Sequence, residues 1–325
     1  MPSSDPHPRI AVTRAVPGQL DIPGAHIDLL GDDLPKRDAL LKFVPGADII
    51  VSMYTDRIDD ELLEAAGNQL RGVCNFAVGI NNIDLDACAR RGVIVTNTPD
   101  AVTEGTADMA WLLILAVARK LIEADRYARS SAYPHRGPLG MADFMGLDLT
   151  GRTLAIIGAG RIGFATAMRA RGWGMNILYV ARTKHWDFEL APLAAERVEL
   201  DQALSRADVV SIHTPLTPET THLLDERRLE LLKPTAIVVN TSRGPVVDEQ
   251  ALAEALHAGQ LWGAGLDVFE REPEIHPDLL TAPNTVLTPH IGSAEQRFRH
   301  MMTDMVTENA RAILEDRTPP NQVGA

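Results

Sequence analysis

Leu154-Ala-Ile-Ile157 runs directly into Gly158-Ala-Gly-Arg-Ile-Gly163, and residues 164–170 follow with small and apolar side chains at helical spacing. An apolar strand that turns at once into a helix is the repeating unit of a parallel α/β sheet. The first glycine permits a tight turn, the second lets a pyrophosphate approach the backbone, and the third lets helix and strand pack closely. The helix N-terminus then presents unpaired N–H groups and partial positive charge to a phosphate. In this context Gly158, Gly160, Arg161, Ile162 and Gly163 read as contacts to a dinucleotide.

The next strand, at 177–180, bears on which dinucleotide binds. Such a strand normally ends in an Asp or Glu that bonds the adenosine ribose of NAD. Here the position is Ala181, followed by Arg182, Thr183 and Lys184. Without the acid a 2′-phosphate meets no repulsion, and each charge-assisted hydrogen bond from the turn contributes roughly 1.5–3 kcal/mol. NADP(H) is therefore the expected cofactor, with NAD(H) possible.

On either side of this unit, β-branched runs alternate with helical periodicity, which indicates an α/β protein with two doubly wound domains. Strands are expected at 10–13, 48–52, 72–75 and 93–96, with helices at 59–66 and 85–91. A second series of strands falls at 153–157, 177–180, 209–213, 236–240, 263–266 and 285–287. Their near-continuous apolar character suits a sheet covered on both faces. Longer helices, at 102–130 and 293–315, mark the seams, and Gly and Pro at 133–138 predict a loop. The expected division is 1–101 with 290–325 as one domain and 102–289 as an insertion, the crevice between them being the expected site.

A chain of 325 residues exceeds what one core usually serves, which agrees with two domains. The net charge of -13, with no run of Lys or Arg, argues against nucleic acid or an anionic membrane as partner. The longest apolar stretch, 110–118, falls far short of the roughly 20 residues that cross a bilayer. The opening residues lack the basic and then apolar pattern of a secretory signal. Cys74 and Cys88 show neither CxxC nor Cys/His metal spacing, so no metal is expected and a reducing, cytoplasmic setting is.

Three charged residues stand where later strands run into loops: Arg243 in Asn240-Thr-Ser-Arg-Gly-Pro245, Glu272 in Asp267-Val-Phe-Glu-Arg-Glu-Pro273, and His290 in Thr288-Pro-His-Ile-Gly-Ser293. A carboxylate beside a histidine favours the imidazolium, and an arginine holds a carboxylate while polarising a neighbouring carbonyl. The set suits redox chemistry on a small anionic carbonyl compound. His213, at the end of the 209–213 strand, reads as lining the nicotinamide end of the cofactor.

Taken with the glycine turn, these segments resemble the D-isomer-specific 2-hydroxyacid dehydrogenase family, and most closely its glyoxylate/hydroxypyruvate (2-ketogluconate) reductases. Arg243 and Glu272 are 29 residues apart and Glu272 and His290 are 18 apart, as in the family's shorter members. Val78-Gly-Ile-Asn-Asn-Ile-Asp84, Thr106-Ala-Asp108 and Pro319-Pro-Asn321 extend the resemblance over most of the chain. It implies a flavodoxin-like substrate domain carrying an inserted Rossmann NAD(P)-binding domain. It also implies that Val78 and Gly79 take the substrate carboxylate on their N–H groups and that Arg243 grips the carboxylate and carbonyl. His290 would be the acid/base and Glu272 its partner. Further cofactor contacts are implied at Thr106, His213, Thr214, Pro215, Thr220, Thr241, Ser242, Asp267, His290 and Gly292. A homodimer is expected, with Trp111, Leu112, Leu115 and Leu121 on the 106–121 helix contributing to the contact.

Within the family the expected reaction is NADPH-dependent reduction of a short 2-keto acid, glyoxylate or hydroxypyruvate, to the D-2-hydroxy acid. Met53 with Tyr54 is expected to shape the substrate pocket, because the Tyr133-Pro-His-Arg136 loop lacks the tryptophan frequent in such reductases. The alternatives are an NAD-linked dehydrogenase acting on glycerate, lactate or 2-ketogluconate, and an NAD(H)-sensing corepressor-like binding protein. The retained Arg243, Glu272 and His290 favour the enzyme over the binding protein.

Overall fold

A computed structural model describes residues 7–323. The chain divides into two compact units, one made of residues up to Val102 together with those from Ser293 onward, the other of Thr103–Gly292. The second seam falls after Gly292 and not before His290, because Asp267 accepts hydrogen bonds from the N–H groups of Ile291 and Gly292 and keeps that turn with the second unit.

The first unit holds a five-stranded parallel sheet in the order β2-β1-β3-β4-β5. Its strands are β1 (Arg9–Val12), β2 (His26–Leu29), β3 (Ile49–Ser52), β4 (Gly72–Asn75) and β5 (Ile94–Thr96). This is the flavodoxin-like order. Three of the strands are apolar and buried throughout or nearly so, β1, β3 and β4, and Leu40, Leu62, Leu63 and Ala87 from the connecting helices cover one face. The helix Gln296–Leu314 returns to pack on β4 and β5.

The second unit is a seven-stranded parallel sheet in the order β12-β11-β10-β9-β6-β7-β8. Its strands are β6 (Thr153–Ile157), β7 (Asn176–Val180), β8 (Glu196–Arg197), β9 (Val209–Ile212), β10 (Ile237–Asn240), β11 (Gly263–Leu266) and β12 (Thr285–Leu287). Alternate residues divide the core into two layers. Leu154, Ile156, Val209 and Val239 pack with Trp111, Ile114 and Val117 of the helix Thr103–Ala118. Ala155, Ile157, Val210 and Val238 pack with Leu204, Leu229, Leu252 and Leu256 on the opposite face. A large-to-small change at a fully buried position such as Ile156 costs about 2–5 kcal/mol.

Four local readings need correction. The edge strands β2 and β8 were not expected, since their side chains are half-buried or exposed and leave no apolar run. The single helix expected at 102–130 is two, Thr103–Ala118 and Leu121–Arg129. Lys120 is left-handed (φ 50°), and Leu147 N–H caps the Ala118 carbonyl at 2.8 Å. Within the loop expected at 133–138, Ala132–Arg136 forms a short helix that stops at Gly137. Trp111 is buried, with Nε1 donating to the Thr166 carbonyl at 2.9 Å, so it belongs to the core and not to an exposed face; Leu112 and Leu121 are the exposed members of that helix group.

Candidate active site

Strand register explains why residues distant in sequence meet at one edge of the larger sheet. Ile157 pairs with Ile212, Ile212 with Asn240, Asn240 with Leu266, and Leu266 with Leu287. The next residue on each strand, Gly158, His213, Thr241, Asp267 and Thr288, therefore stands in a row along the carboxyl ends. Strand order reverses at β6, whose sequence neighbour β7 lies on one side and β9 on the other, and ligands of open α/β sheets bind at such a switch point.

The glycines of the β6 turn fit a dinucleotide. Gly158 has φ +104°, and a Cβ there would lie 2.7 Å from the His213 carbonyl oxygen. A Cβ on Gly163 would lie 2.2 Å from the Gly158 oxygen, so the turn and the helix Arg161–Ala170 are in backbone contact. Gly160 differs, because a Cβ there would meet nothing within 4 Å. Protein packing does not require that glycine, and the open space beside it fits the close approach of a pyrophosphate. Along the same edge the Thr214 and Thr241 hydroxyls are buried without a hydrogen-bond partner among the described residues. Thr220 holds the loop after β9 in shape, its hydroxyl donating to the Pro215 carbonyl at 2.7 Å.

At the end of β7, Arg182 and Thr183 are exposed, and neither side chain is hydrogen-bonded among the described residues. Lys184 is engaged instead: its Nζ lies 2.6 Å from Glu189 Oε2 and 4.1 Å from the centre of the Trp186 ring. Arg197, which carried no motif, donates to the Ala181 carbonyl at 2.9 and 3.1 Å and to the Arg182 carbonyl at 3.0 Å, and so braces the turn.

Arg243, Glu272 and His290 follow the adjacent strands β10, β11 and β12. Asn240, 1% exposed, shapes the first of these turns: its Oδ1 accepts from Ser242 N–H and Oγ, and its Nδ2 donates to the Arg243 carbonyl. Arg243 Nη1 donates to the Ser242 carbonyl at 2.6 Å. Glu272 Oε1 accepts from Phe269 N–H at 3.1 Å, while Oε2 lies 2.7 Å from His290 Nδ1. With the carboxylate as acceptor, Nδ1 carries the shared proton.

His290 is left-handed, with φ 55°, which is uncommon for a residue with a side chain. Asp267 holds it there. Its Oδ1 accepts from Thr288 Oγ1 and Ile291 N–H, and its Oδ2 from Gly292 N–H at 2.7 Å. Burial pushes the Asp267 carboxyl up, and these donors oppose that rise. Thr106 lies against the same place, 3.5 Å from where a Gly292 Cβ would be. Burial also pushes the His213 imidazole down to about 3, so it stays neutral; its Nε2 lies 2.8 Å from Ser211 Oγ.

In the first unit the β4 end carries the other expected contacts. The Val78 and Gly79 N–H groups have no hydrogen-bond partner among the described residues. Their carbonyls are fixed, Gly79 by Asn75 Nδ2 and Val78 by Asn97 Nδ2, each at 2.8 Å. Met53 is buried beyond β3, with its N–H on Asp56 Oδ2 at 2.8 Å and its carbonyl accepting from Asn82 Nδ2 at 3.0 Å.

Residues 111–292 match the family profile described as D-isomer specific 2-hydroxyacid dehydrogenase, NAD binding domain. The chain belongs to this family. Among similar curated proteins are glyoxylate reductases of Korarchaeum cryptofilum, 47% identical over 323 residues, and Thermococcus onnurineus, 45% identical over 324 residues; each alignment covers 97% of this chain and 96% of the relative. A solved structure from Thermus thermophilus aligns with a TM-score of 0.91 at 42% identity, covering 97% of this chain and 99% of that one. A Sinorhizobium meliloti NADPH-dependent glyoxylate/hydroxypyruvate reductase, in complex with NADP and malonate, aligns at 0.83 and 31% identity, covering 98% and 97%. As a member of this family the chain is an NAD(P)-dependent dehydrogenase.

Sequence reasoning missed Asn240, Asn75 and Arg197 as turn-holding residues. The first two have a signal, an amide at the last residue of an apolar strand, where its side chain reaches the following loop. Arg197 has none, since only folding brings β8 beside β7. Among the described residues no helix is long and apolar enough to cross a membrane, and no group of three His, Cys, Asp or Glu is placed to hold a metal ion.

Proposed function

We propose that this protein reduces a short 2-keto acid with NADPH in preference to NADH, glyoxylate to glycolate or hydroxypyruvate to the D-2-hydroxy acid. The observation that carries the reading is the 2.7 Å approach of His290 Nδ1 to Glu272 Oε2, beside Arg243 on the neighbouring strand end. His290, protonated, donates its Nε2 proton to the carbonyl oxygen of the keto acid, and Glu272 stabilises and orients the imidazolium until it does. Arg243 binds the carboxylate and polarises the carbonyl, and the Val78 and Gly79 N–H groups take the carboxylate. Bound NADPH supplies the hydride that reduces the carbonyl carbon, so proton and hydride together yield the alcohol. General-acid catalysis of this kind contributes about 10²- to 10⁴-fold.

Gly158, Gly160, Arg161, Ile162 and Gly163 would hold the pyrophosphate. Thr106, His213, Thr214, Pro215, Thr220, Thr241, Ser242, Asp267 and Gly292 would line the rest of the cofactor site. Arg182 and Thr183, exposed beside the neutral Ala181, support NADP(H). Lys184 supports it less, being taken up by Glu189 and Trp186. Met53 would bound the pocket for a short substrate. Exposed Leu112 and Leu121 suit a contact in a homodimer, and Cys74 and Cys88, both buried and free, suit a cytoplasmic enzyme.

The test is a panel of glyoxylate, hydroxypyruvate, pyruvate and 2-ketogluconate with each cofactor, with chiral analysis of the products that are chiral. The highest kcat/KM should fall on glyoxylate or hydroxypyruvate with NADPH, and hydroxypyruvate should give D-glycerate. Turnover of none of the four would sink the proposal.

A further inference from the structure

Glu249 is a buried carboxylate to which the reaction above gives no role. It opens the helix Glu249–His257, whose N-cap is already Asp248, with a side chain that accepts from Ala251 N–H. A first-turn glutamate ordinarily lies in solvent and complements the helix dipole. Glu249 is 5% exposed instead. Burying an ionisable group is costly unless hydrogen bonds compensate, and burial does push this carboxyl up.

The compensating bonds come from one segment. Glu249 Oε1 accepts from Glu270 N–H at 2.6 Å and Oε2 from His276 N–H at 3.3 Å; Glu249 N–H in turn donates to Glu270 Oε1 at 2.9 Å. The two donors that Glu249 receives flank Glu272, so its carboxylate ties both ends of residues 270–276. Between those ties Glu272 holds Phe269 N–H with one oxygen and meets His290 Nδ1 with the other.

We infer that Glu249 is a positioning residue for Glu272, clamping the 270–276 segment so that the Glu272 carboxylate stays on His290 Nδ1. The inference rests on the His290–Glu272 reading of the preceding section. The charged groups facing Glu249 are Glu270, which disfavours its ionisation, and His276, which favours it. His222 stands beyond, 3.2 Å from Glu270 and 3.5 Å from Asp248. His290 is faced by Glu272 and Asp267.

The experiment is a double-mutant cycle read through pH profiles of kcat/KM for glyoxylate with NADPH. The full-length proteins are wild type, Glu249→Ala, Glu249→Gln, Glu272→Gln and Glu249→Ala/Glu272→Gln. A carboxylate beside an imidazole keeps it protonated to higher pH. Glu272→Gln should therefore move the alkaline limb to lower pH, and Glu249→Ala should move it the same way while lowering kcat roughly tenfold or more. In the Glu272→Gln background, Glu249→Ala should add less than about twofold, because the residue acts through the partner already removed. Glu249→Gln keeps one acceptor but turns an NH2 towards the second N–H, so it should lie between wild type and Glu249→Ala; it carries the test if the alanine variant does not fold.

A uniform loss in Glu249→Ala without movement of the limb, or multiplicative losses in the double variant, would overturn the inference while leaving the His290–Glu272 reading intact. An unmoved limb in Glu272→Gln would overturn that reading and the inference with it.

Discussion

Gly244 lies against Phe269 so closely that a Cβ on it would fall 1.8 Å from the Phe269 carbonyl carbon and 2.0 Å from the carbonyl oxygen. The atoms in the way are backbone, with no flexible end to move aside. The turn that carries Arg243 is thereby seated on the segment that leads to Glu272, and the two strand ends share one geometry. Gly244→Ala must push them apart. Overpacking of this kind costs about 1–3 kcal/mol in stability, and a displacement near 1 Å costs roughly 10²-fold in rate. Thermal melts and kcat/KM for glyoxylate should show both losses; a variant with wild-type kcat/KM would show that the contact yields without cost.

At the β7 turn, cofactor choice should follow the neutral Ala181 and the exposed Arg182 and not the lysine. Ala181→Asp with Arg182→Ile should reverse the ratio of kcat/KM for NADPH to that for NADH, by roughly tenfold or more for each charge-assisted bond lost. Lys184→Ala should change the ratio by less than about twofold, because Lys184 is held by Glu189 and Trp186. A large effect of Lys184→Ala with none from the double replacement would mean that the phosphate is held elsewhere.

His213 gives a prediction about pH. Its imidazole is pushed down from 6.5 to about 3 by burial, so between those values the unfolded chain binds a proton that the folded chain does not. Folding stability from this group is therefore full at neutral pH and falls as pH drops below the ordinary histidine value. Replacing His213 with Asn should flatten the acid side of the cofactor-free stability curve relative to wild type, measured by denaturant titration from about pH 7 down to about pH 5. Parallel curves for the two proteins would remove His213 from the acid response.

Much of this site is legible in the sequence because its residues occupy a repeated place, the first few positions after an apolar strand. Gly158, Arg243 and His290 can be located by that rule without knowing which strands are neighbours. What the sequence does not carry is lateral: β8 brings Arg197 to the β7 turn, and the helix start at Glu249 comes to lie beside residues 270–276. The edge strands escape for a related reason, since His26–Leu29 and Glu196–Arg197 have a solvent side and no unbroken apolar run. The helix break at Lys120 depends on Leu147, 27 residues onward, capping Ala118, a long-range bond that periodicity cannot anticipate.

The most direct test of the proposed chemistry is kcat for NADPH-dependent glyoxylate reduction by His290→Ala, set beside NADPH affinity measured by fluorescence. Loss of the proton donor should lower kcat by about 10²- to 10⁴-fold while the Kd for NADPH changes little, in contrast with Arg243→Ala, which should weaken substrate binding and turnover together. A His290→Ala enzyme that keeps wild-type kcat would contradict the assignment of His290 as the acid.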